Sequence, residues 1–186
     1  MPVKIAVLIG SLRKESWNRK LALALMKLAS PALQLEIVEI GALALYNQDF
    51  DDEGHPPAEW TNFRETIHAF DGVLFVTPEY NRSVPAVLKN ALDVGSRPFG
   101  KNVWNNKPAA IISASLGPIA GFGANHHLRQ SFVCLNIPCM QQPEAYIGNV
   151  ANLFDASNNI SKEETREFLS KYMSAYEKWV KTIADK

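Results

Sequence analysis

Ser11, Arg13, Ser16 and Asn18 stand close together in the run Gly10-Ser11-Leu12-Arg13-Lys14-Glu15-Ser16-Trp17-Asn18, where the apolar stretch Ile5 to Ile9 gives way to a helical pattern. A loop that opens a helix beside the carboxyl end of a strand presents backbone N–H groups without intrahelical partners, together with the positive end of the helix dipole. Two hydroxyls, an amide and a guanidinium add side-chain donors to that set, which suits a phosphate. The same residues also read as an ordinary capped helix, because Ser and Asn are favoured N-caps whether or not anything binds there. The loop has neither the GxGxxG spacing of a dinucleotide turn nor the GK[ST] ending of a P-loop, which argues against a nicotinamide Rossmann domain and against an NTPase.

The elements that position this loop follow from periodicity. Lys4 to Ile9 is apolar nearly throughout, as in a strand buried on both faces, and a helix is expected from Asn18 to Ala29 with Leu21, Leu25 and Leu28 on one side. Pro31 stops it, and Leu35, Ile37, Val38 and Ile40 supply a second strand. A long irregular connection follows, carrying Leu43 to Phe50, the acidic run Asp49 to Glu53 and the turn-formers Gly54 to Pro57. Trp60, Phe63 and Ile67 mark a helix from Ala58 to Ala69, and Val73 to Thr77 is the most strand-like run in the chain. Pro85 starts a helix reaching Val94, and Pro108 to Ala114 forms a fourth strand. The loop Ser115 to Gly123 precedes a helix from Asn125 to Leu135, with a fifth strand over Met140 to Ile147. Ser161 with Glu164 reads as a capping box for a final helix that ends near Ala184.

Alternating strands and helices predict an α/β fold with a parallel sheet and right-handed crossovers. Five strands suit the flavodoxin-like order 2-1-3-4-5, a three-layer sandwich in which ligands sit outside the carboxyl ends of the strands. That order gathers the loops after Ile9, Thr77 and Ala114.

The chain of 186 residues, 47% hydrophobic, is expected to form one domain over 1–186. Nineteen basic and nineteen acidic residues leave no net charge, and no basic stripe with aromatics is present, so a nucleic-acid partner is not expected. No segment has a signal-peptide core or a bilayer-spanning length, which points to a cytoplasmic protein without membrane association. Cys134 and Cys139 have no CxxC spacing and are expected to be buried thiols. His126 and His127 are adjacent on a helix, so their rings diverge and no metal is expected there.

The second loop reads Pro78-Glu79-Tyr80-Asn81, followed by Arg82-Ser83-Val84-Pro85 and a helix containing Leu88-Lys89-Asn90-Ala91-Leu92-Asp93. The third begins Ser115-Leu116-Gly117. GSLRKESWN, PEYN with PxxLKNALD behind it, and SASLG, in this order from Lys4 to Ile147, resemble the NAD(P)H-dependent FMN reductase family, within it the quinone and chromate reductase branch. The resemblance implies an FMN phosphate held by Ser11, Arg13, Ser16, Asn18 and the Trp17 backbone. It places the isoalloxazine ring along Pro78, Glu79, Tyr80 and Asn81, mostly through main chain, with Tyr80 as an aromatic wall. Ser115 and Gly117 close the third side. Lys89, Asn90 and Asp93 are read as fixing their helix to its neighbours.

Three positions depart from the family's pattern. Glu15 stands where relatives often have Gly, Val94 where they often have Trp, and Gly123 where they often have Arg. They bring into question, in turn, the charge near the phosphate, the packing beneath the ring edge, and the subunit contact or acceptor mouth.

The implied activity is hydride transfer from NADH or NADPH through bound FMN to quinones, with chromate, azo and nitro compounds as further acceptors and ping-pong kinetics. The cofactor carries the bond-breaking, so no catalytic acid–base side chain and no metal are expected. An FMN-binding electron carrier that does not oxidise nicotinamide is the rival reading, and a carrier usually presents an acidic docking face that this neutral chain lacks. A non-flavin domain on the same fold is a third, because fold does not fix function. The resemblance also implies a homo-oligomer, dimer or tetramer, with Leu43 to Phe50 offered as an apolar contact.

Overall fold

The computed structural model describes residues 2–184; Met1, Asp185 and Lys186, which bound the expected domain, lie outside the described residues. Five parallel strands, β1 (Val3–Ile9), β2 (Leu33–Ile37), β3 (Gly72–Thr77), β4 (Ala109–Ala114) and β5 (Ala145–Ile147), run in the order β2-β1-β3-β4-β5. Six helices accompany them: α1 (Trp17–Leu28), α2 (Gln48–Asp52), α3 (Ala58–His68), α4 (Ala86–Gly95), α5 (Phe122–Leu135) and α6 (Glu163–Ala184). The flavodoxin-like sandwich expected from the alternation is the fold observed.

Strand alternation divides the core into two layers. Ile5, Val7, Ile9, Leu74, Val76, Ala110 and Ile112 face α1 and α6, where Leu21, Leu25, Leu169, Tyr172 and Tyr176 pack. Ala6, Leu8, Val73, Phe75, Ala109 and Ile111 face α3, α4 and α5, meeting Trp60, Phe63, Ile67, Leu88, Leu92, Leu128 and Phe132. Every residue of β3 and β4 is buried, which explains why those segments are apolar except for Thr77 and Ser113 near their carboxyl ends.

Several boundaries differ from expectation for identifiable reasons. β2 begins earlier and ends at Ile37, because Val38 makes only one further bond to Val7 before the chain leaves the sheet. β5 is confined to Ala145–Ile147, while Met140 reaches β4 through a single bond to Ala109. α5 starts three residues before Asn125, entered through left-handed Ala120 (φ 60°) and Gly121 (φ 73°). The connection read as irregular contains α2, capped by Asn47, whose side chain accepts the Asp49 N–H. Ser161 does not form the expected capping box: its hydroxyl donates to the Leu153 carbonyl, and α6 starts at Glu163. Cys139 is largely buried, and burial pushes its thiol up to about 11, whereas Cys134 is exposed on α5, contrary to the expected pair of buried thiols.

No helix among the described residues is long and apolar enough to cross a membrane.

Candidate cofactor site

Parallel register brings the strand ends together. Ile9 aligns with Val76 and Thr77 with Ser113, so β1, β3 and β4 deliver their following loops to one rim of the sheet. At Gly10 a Cβ would lie 3.0 Å from Thr77 Oγ1 and 3.1 Å from Pro78 Cδ, so glycine permits the close approach of the first two loops.

In the first loop Ser11, Ser16 and Asn18 are 8%, 3% and 5% exposed, unusual burial for polar residues. Ser16 is the N-cap of α1: its Oγ accepts the Arg19 N–H at 3.1 Å, and its own proton is left for another acceptor. Among the described residues no backbone N–H from Ser11 to Asn18 donates within the chain. Asn18 Nδ2 donates to the Ala114 carbonyl at 3.4 Å, joining the first loop to the third, while its buried Oδ1 has no partner among the described residues. Arg13 is exposed beside a small recess of about 90 Å³ lined also by Ser11, Leu12, Arg19 and Glu39. Trp17 turns its ring away, stacking on Phe154 at 5.8 Å with Lys20 Nζ 4.5 Å from its centroid, so it offers the rim only main chain. Glu15 is exposed and pairs with Lys20 at 3.5 Å, which draws its charge away from the loop's donors.

The second loop is a tight turn. Tyr80 and Ser83 exchange backbone bonds of 3.1 and 2.9 Å across Asn81 (φ 50°) and Arg82 (φ 65°). Tyr80 is 47% exposed and Asn81 is exposed, while Pro78 is half-buried. The Glu79 side chain does not point into solvent: Oε2 accepts the Ala124 N–H at 3.1 Å in the first turn of α5, and Oε1 lies 3.5 Å from Arg82 Nη1. In the third loop the Ser115 hydroxyl donates to the Gly117 carbonyl at 3.0 Å, and a Cβ at Gly117 would have open space. Leu12, Tyr80, Leu116, Ile119 and Phe122, contributed by all three loops and the start of α5, are large exposed hydrophobic residues at this rim.

Two of the departures acquire definite roles. Gly123 is packed beneath the second loop, where a Cβ would lie 2.8 Å from the Arg82 carbonyl oxygen. Val94 is fully buried near the last turn of α4, the end away from the rim, in the core layer between the sheet and α3, α4 and α5. His127 Nδ1 lies 2.9 Å from Ser83 Oγ, and His126 Nε2 lies 2.9 Å from the Tyr146 hydroxyl, which donates to Glu144 at 2.8 Å. Partial burial, with the Glu144 contact adding to it, pushes the Tyr146 hydroxyl up to about 12, so it remains a donor at neutral pH. No cluster of metal-ligating side chains occurs among the described residues. A recess of about 500 Å³ runs along the outer face of α1 past Leu23 and Met26 and reaches the first loop at Lys14 and Ser16, without touching the second or third loop.

The sequence profile of the family described as NADPH-dependent FMN reductase matches residues 3–152, a span that contains all three loops. The chain belongs to this family. A quinone reductase of Pseudomonas putida is 58% identical over 177 residues, covering 95% of this chain and 94% of that protein. A 2-hydroxy-1,4-benzoquinone reductase of a Burkholderia species is 48% identical over 181 residues, covering 97% and 98%. Among solved structures, the flavoenzyme NAD(P)H:(acceptor) oxidoreductase FerB of Paracoccus denitrificans superposes with a TM-score of 0.90 at 38% identity, covering 97% of this chain and 98% of that one.

The residues present fit the family's cofactor. Free N–H groups and buried hydroxyls at the start of α1 suit a phosphate dianion, and the unpartnered Asn18 Oδ1 suits a donor such as a ribityl hydroxyl. The exposed apolar side chains beside them suit a flat ring. Sequence reasoning missed the Glu79 side chain as a helix cap; the signal was available in Gly121 and Gly123, which leave the start of α5 without a side-chain cap of its own.

Proposed function

We propose that the chain is an NAD(P)H-dependent quinone reductase that uses FMN held at the rim formed by β1, β3 and β4. The observation that carries this reading is the first loop, where buried Ser11, Ser16 and Asn18 surround N–H groups that no carbonyl among the described residues accepts. Buried polar groups are ordinarily paired, so a group of unengaged donors at a helix start supports an anionic ligand there. FMN supplies two-electron chemistry when bound, accepting hydride from reduced nicotinamide and delivering it to a quinone.

The protein's part is to bind and orient. Ser11, Ser16, Arg13, Asn18 and the Trp17 N–H hold the phosphate end. Main chain at Pro78 to Asn81 and at Ser115 to Gly117 borders the ring, with Tyr80 as a wall. Leu12, Leu116, Ile119 and Phe122 form an apolar margin that favours a planar hydrophobic acceptor over a charged one. One open side serves donor and acceptor in turn, which gives ping-pong kinetics. A cytoplasmic location, a single domain and a dimer or tetramer accord with the composition and with the resemblance. Within the suggested contact segment Leu45 is 78% exposed, whereas Tyr46 and Phe50 pack on Trp60 at 5.1 and 5.8 Å, so Leu45 is the side chain free for another subunit.

An absorbance spectrum of the purified protein, repeated after anaerobic addition of NADH or NADPH, tests the assignment. A flavin spectrum that bleaches with nicotinamide and returns on adding a quinone is expected. Bound flavin that stays oxidised assigns the carrier role instead, and a chain that takes up no FMN ends the reading.

A further inference from the structure

The β3–α4 turn is fastened to the first turn of α5 by contacts that the flavin assignment does not use. α5 begins at Phe122 after Gly121, a residue with no side chain to cap the helix. The missing cap comes from 45 residues away: Glu79 Oε2 accepts the Ala124 N–H at 3.1 Å, placing a carboxylate at the positive end of a helix. Glu79 Oε1 lies 3.5 Å from Arg82 Nη1, and the Glu79 side chain is only 11% exposed. Gly123 completes the fit, since any Cβ there would stand 2.8 Å from the Arg82 carbonyl oxygen and 2.9 Å from Glu79 Oε2. Ser83 Oγ and His127 Nδ1, at 2.9 Å, add a second tie one helical turn further on.

We propose that Glu79 is a positioning residue whose carboxylate clamps the Tyr80–Ser83 turn to α5 and thereby sets the relative placement of the second and third loops along the flavin ring. The inference rests on the FMN reading above. Two left-handed residues at Asn81 and Arg82 make the turn a unit that moves as one, so an anchor at its base fixes Tyr80 and the turn's main chain together. The anchor acts on the ring side of the site. The phosphate side is built separately, from the first loop and the start of α1.

Binding of FMN and of riboflavin to the same proteins separates these roles, because riboflavin keeps the ring and ribityl chain but lacks the phosphate. Glu79→Ala is expected to weaken both ligands by the same factor, about tenfold, the order expected when loss of one helix cap is transmitted to the ligand. Glu79→Gln, which still accepts the Ala124 N–H but lacks the charge, is expected to recover affinity to within about threefold of wild type. Gly123→Ala keeps the Glu79 side chain but sets a methyl group against both its carboxylate and the Arg82 carbonyl, forcing the turn outward. It is expected to reproduce the common loss, and the double variant is expected to lose less than the product of the two single effects, because both act on one contact. Thermal unfolding of each apoprotein identifies any variant that fails to fold, and Gly123→Ala then carries the test alone.

Glu79→Ala and Gly123→Ala proteins that bind both flavins like wild type overturn the clamp. A loss confined to FMN also overturns it, by moving the effect to the phosphate. Wild-type protein that binds neither flavin removes the FMN reading and the clamp with it.

Discussion

The first loop and the junction of α2 with α3 both gather polar side chains out of solvent, yet they dispose of their hydrogen bonds in opposite ways. At the junction Arg64 donates Nη1 and Nη2 to Asp51 at 2.8 and 2.7 Å and Nε to the Val94 carbonyl at 2.9 Å, with side-chain exposures of 9% for Arg64 and 4% for Asp51. Nearby, Asn90 donates to the Leu43 and Ala44 carbonyls and accepts the Tyr46 N–H. In the first loop the N–H groups from Ser11 to Asn18 are unengaged and Asn18 Oδ1 has no partner among the described residues. Burial alone therefore does not distinguish structure from function in this chain. What distinguishes the first loop is that its unengaged groups cluster at a helix start, whereas the Tyr46 and Tyr172 hydroxyls, also buried without a partner among the described residues, stand singly in the core.

The largest expected effect comes from breaking the satisfied region. Arg64→Ala leaves Asp51 buried without its partner and should lower unfolding stability by about 3–5 kcal/mol in urea titration, while FMN affinity of the folded protein is unchanged. A cost near that of an exposed pair removes the contrast. Next, Ser11→Ala with Ser16→Ala should weaken FMN binding by about 1–3 kcal/mol and leave riboflavin binding nearly unaffected. The accompanying loss of stability should be only about 1 kcal/mol, the worth of the Ser16 cap. Equal affinity for FMN in the double variant contradicts the phosphate assignment.

The two cysteines sharpen the contrast between buried and accessible groups on one face. Cys134 should react with a thiol reagent at pH 8 in the native protein, whereas Cys139, held up to about 11 by burial, should react only after unfolding. One native equivalent and two denatured equivalents are the expected counts. Above the ordinary thiol range the unfolded chain loses the Cys139 proton that the folded chain keeps, so unfolding stability should fall as pH rises from about 9 to about 11. Cys139→Ala should remove that contribution to the slope.

The smallest effect belongs to an exposed pair. Arg19 and Glu39 lie 2.5 Å apart but are 40% and 64% exposed, and the hydrogen bond from Arg19 draws the Glu39 carboxyl below its usual range. Glu39→Gln should cost about 0.2–1 kcal/mol, less at high salt. Because the folded-state value is lowered, this contribution is present above the ordinary carboxylate range and is lost as pH falls through the folded-state value.

The sheet was legible because β3 and β4 are apolar apart from Thr77 and Ser113, and the rim because Ser11, Ser16 and Asn18 sit where a strand meets a helix. Loops that depend on distant partners were not legible. Asp51 reads as one member of an acidic run until Arg64 on α3 is seen against it. Glu79 reads as a loop carboxylate until the fold brings Ala124 to it across 45 positions. Ser161 carries a capping-box spacing, yet its hydroxyl goes to the Leu153 carbonyl, a contact set by how the chain returns after β5. Val94 reads as a ring-packing position, but the length of α4 separates it from the rim.

The outer strand β5 has only three residues, Ala145–Ile147, with Pro143 just before it and Gly148 just after. So short a border gives an incoming chain few main-chain groups to copy, which guards this side of the sheet against runaway strand-on-strand stacking. Any chain that docks on this flank would have to be recognised through side chains, so such a contact could be retuned by point substitutions without disturbing the sheet itself.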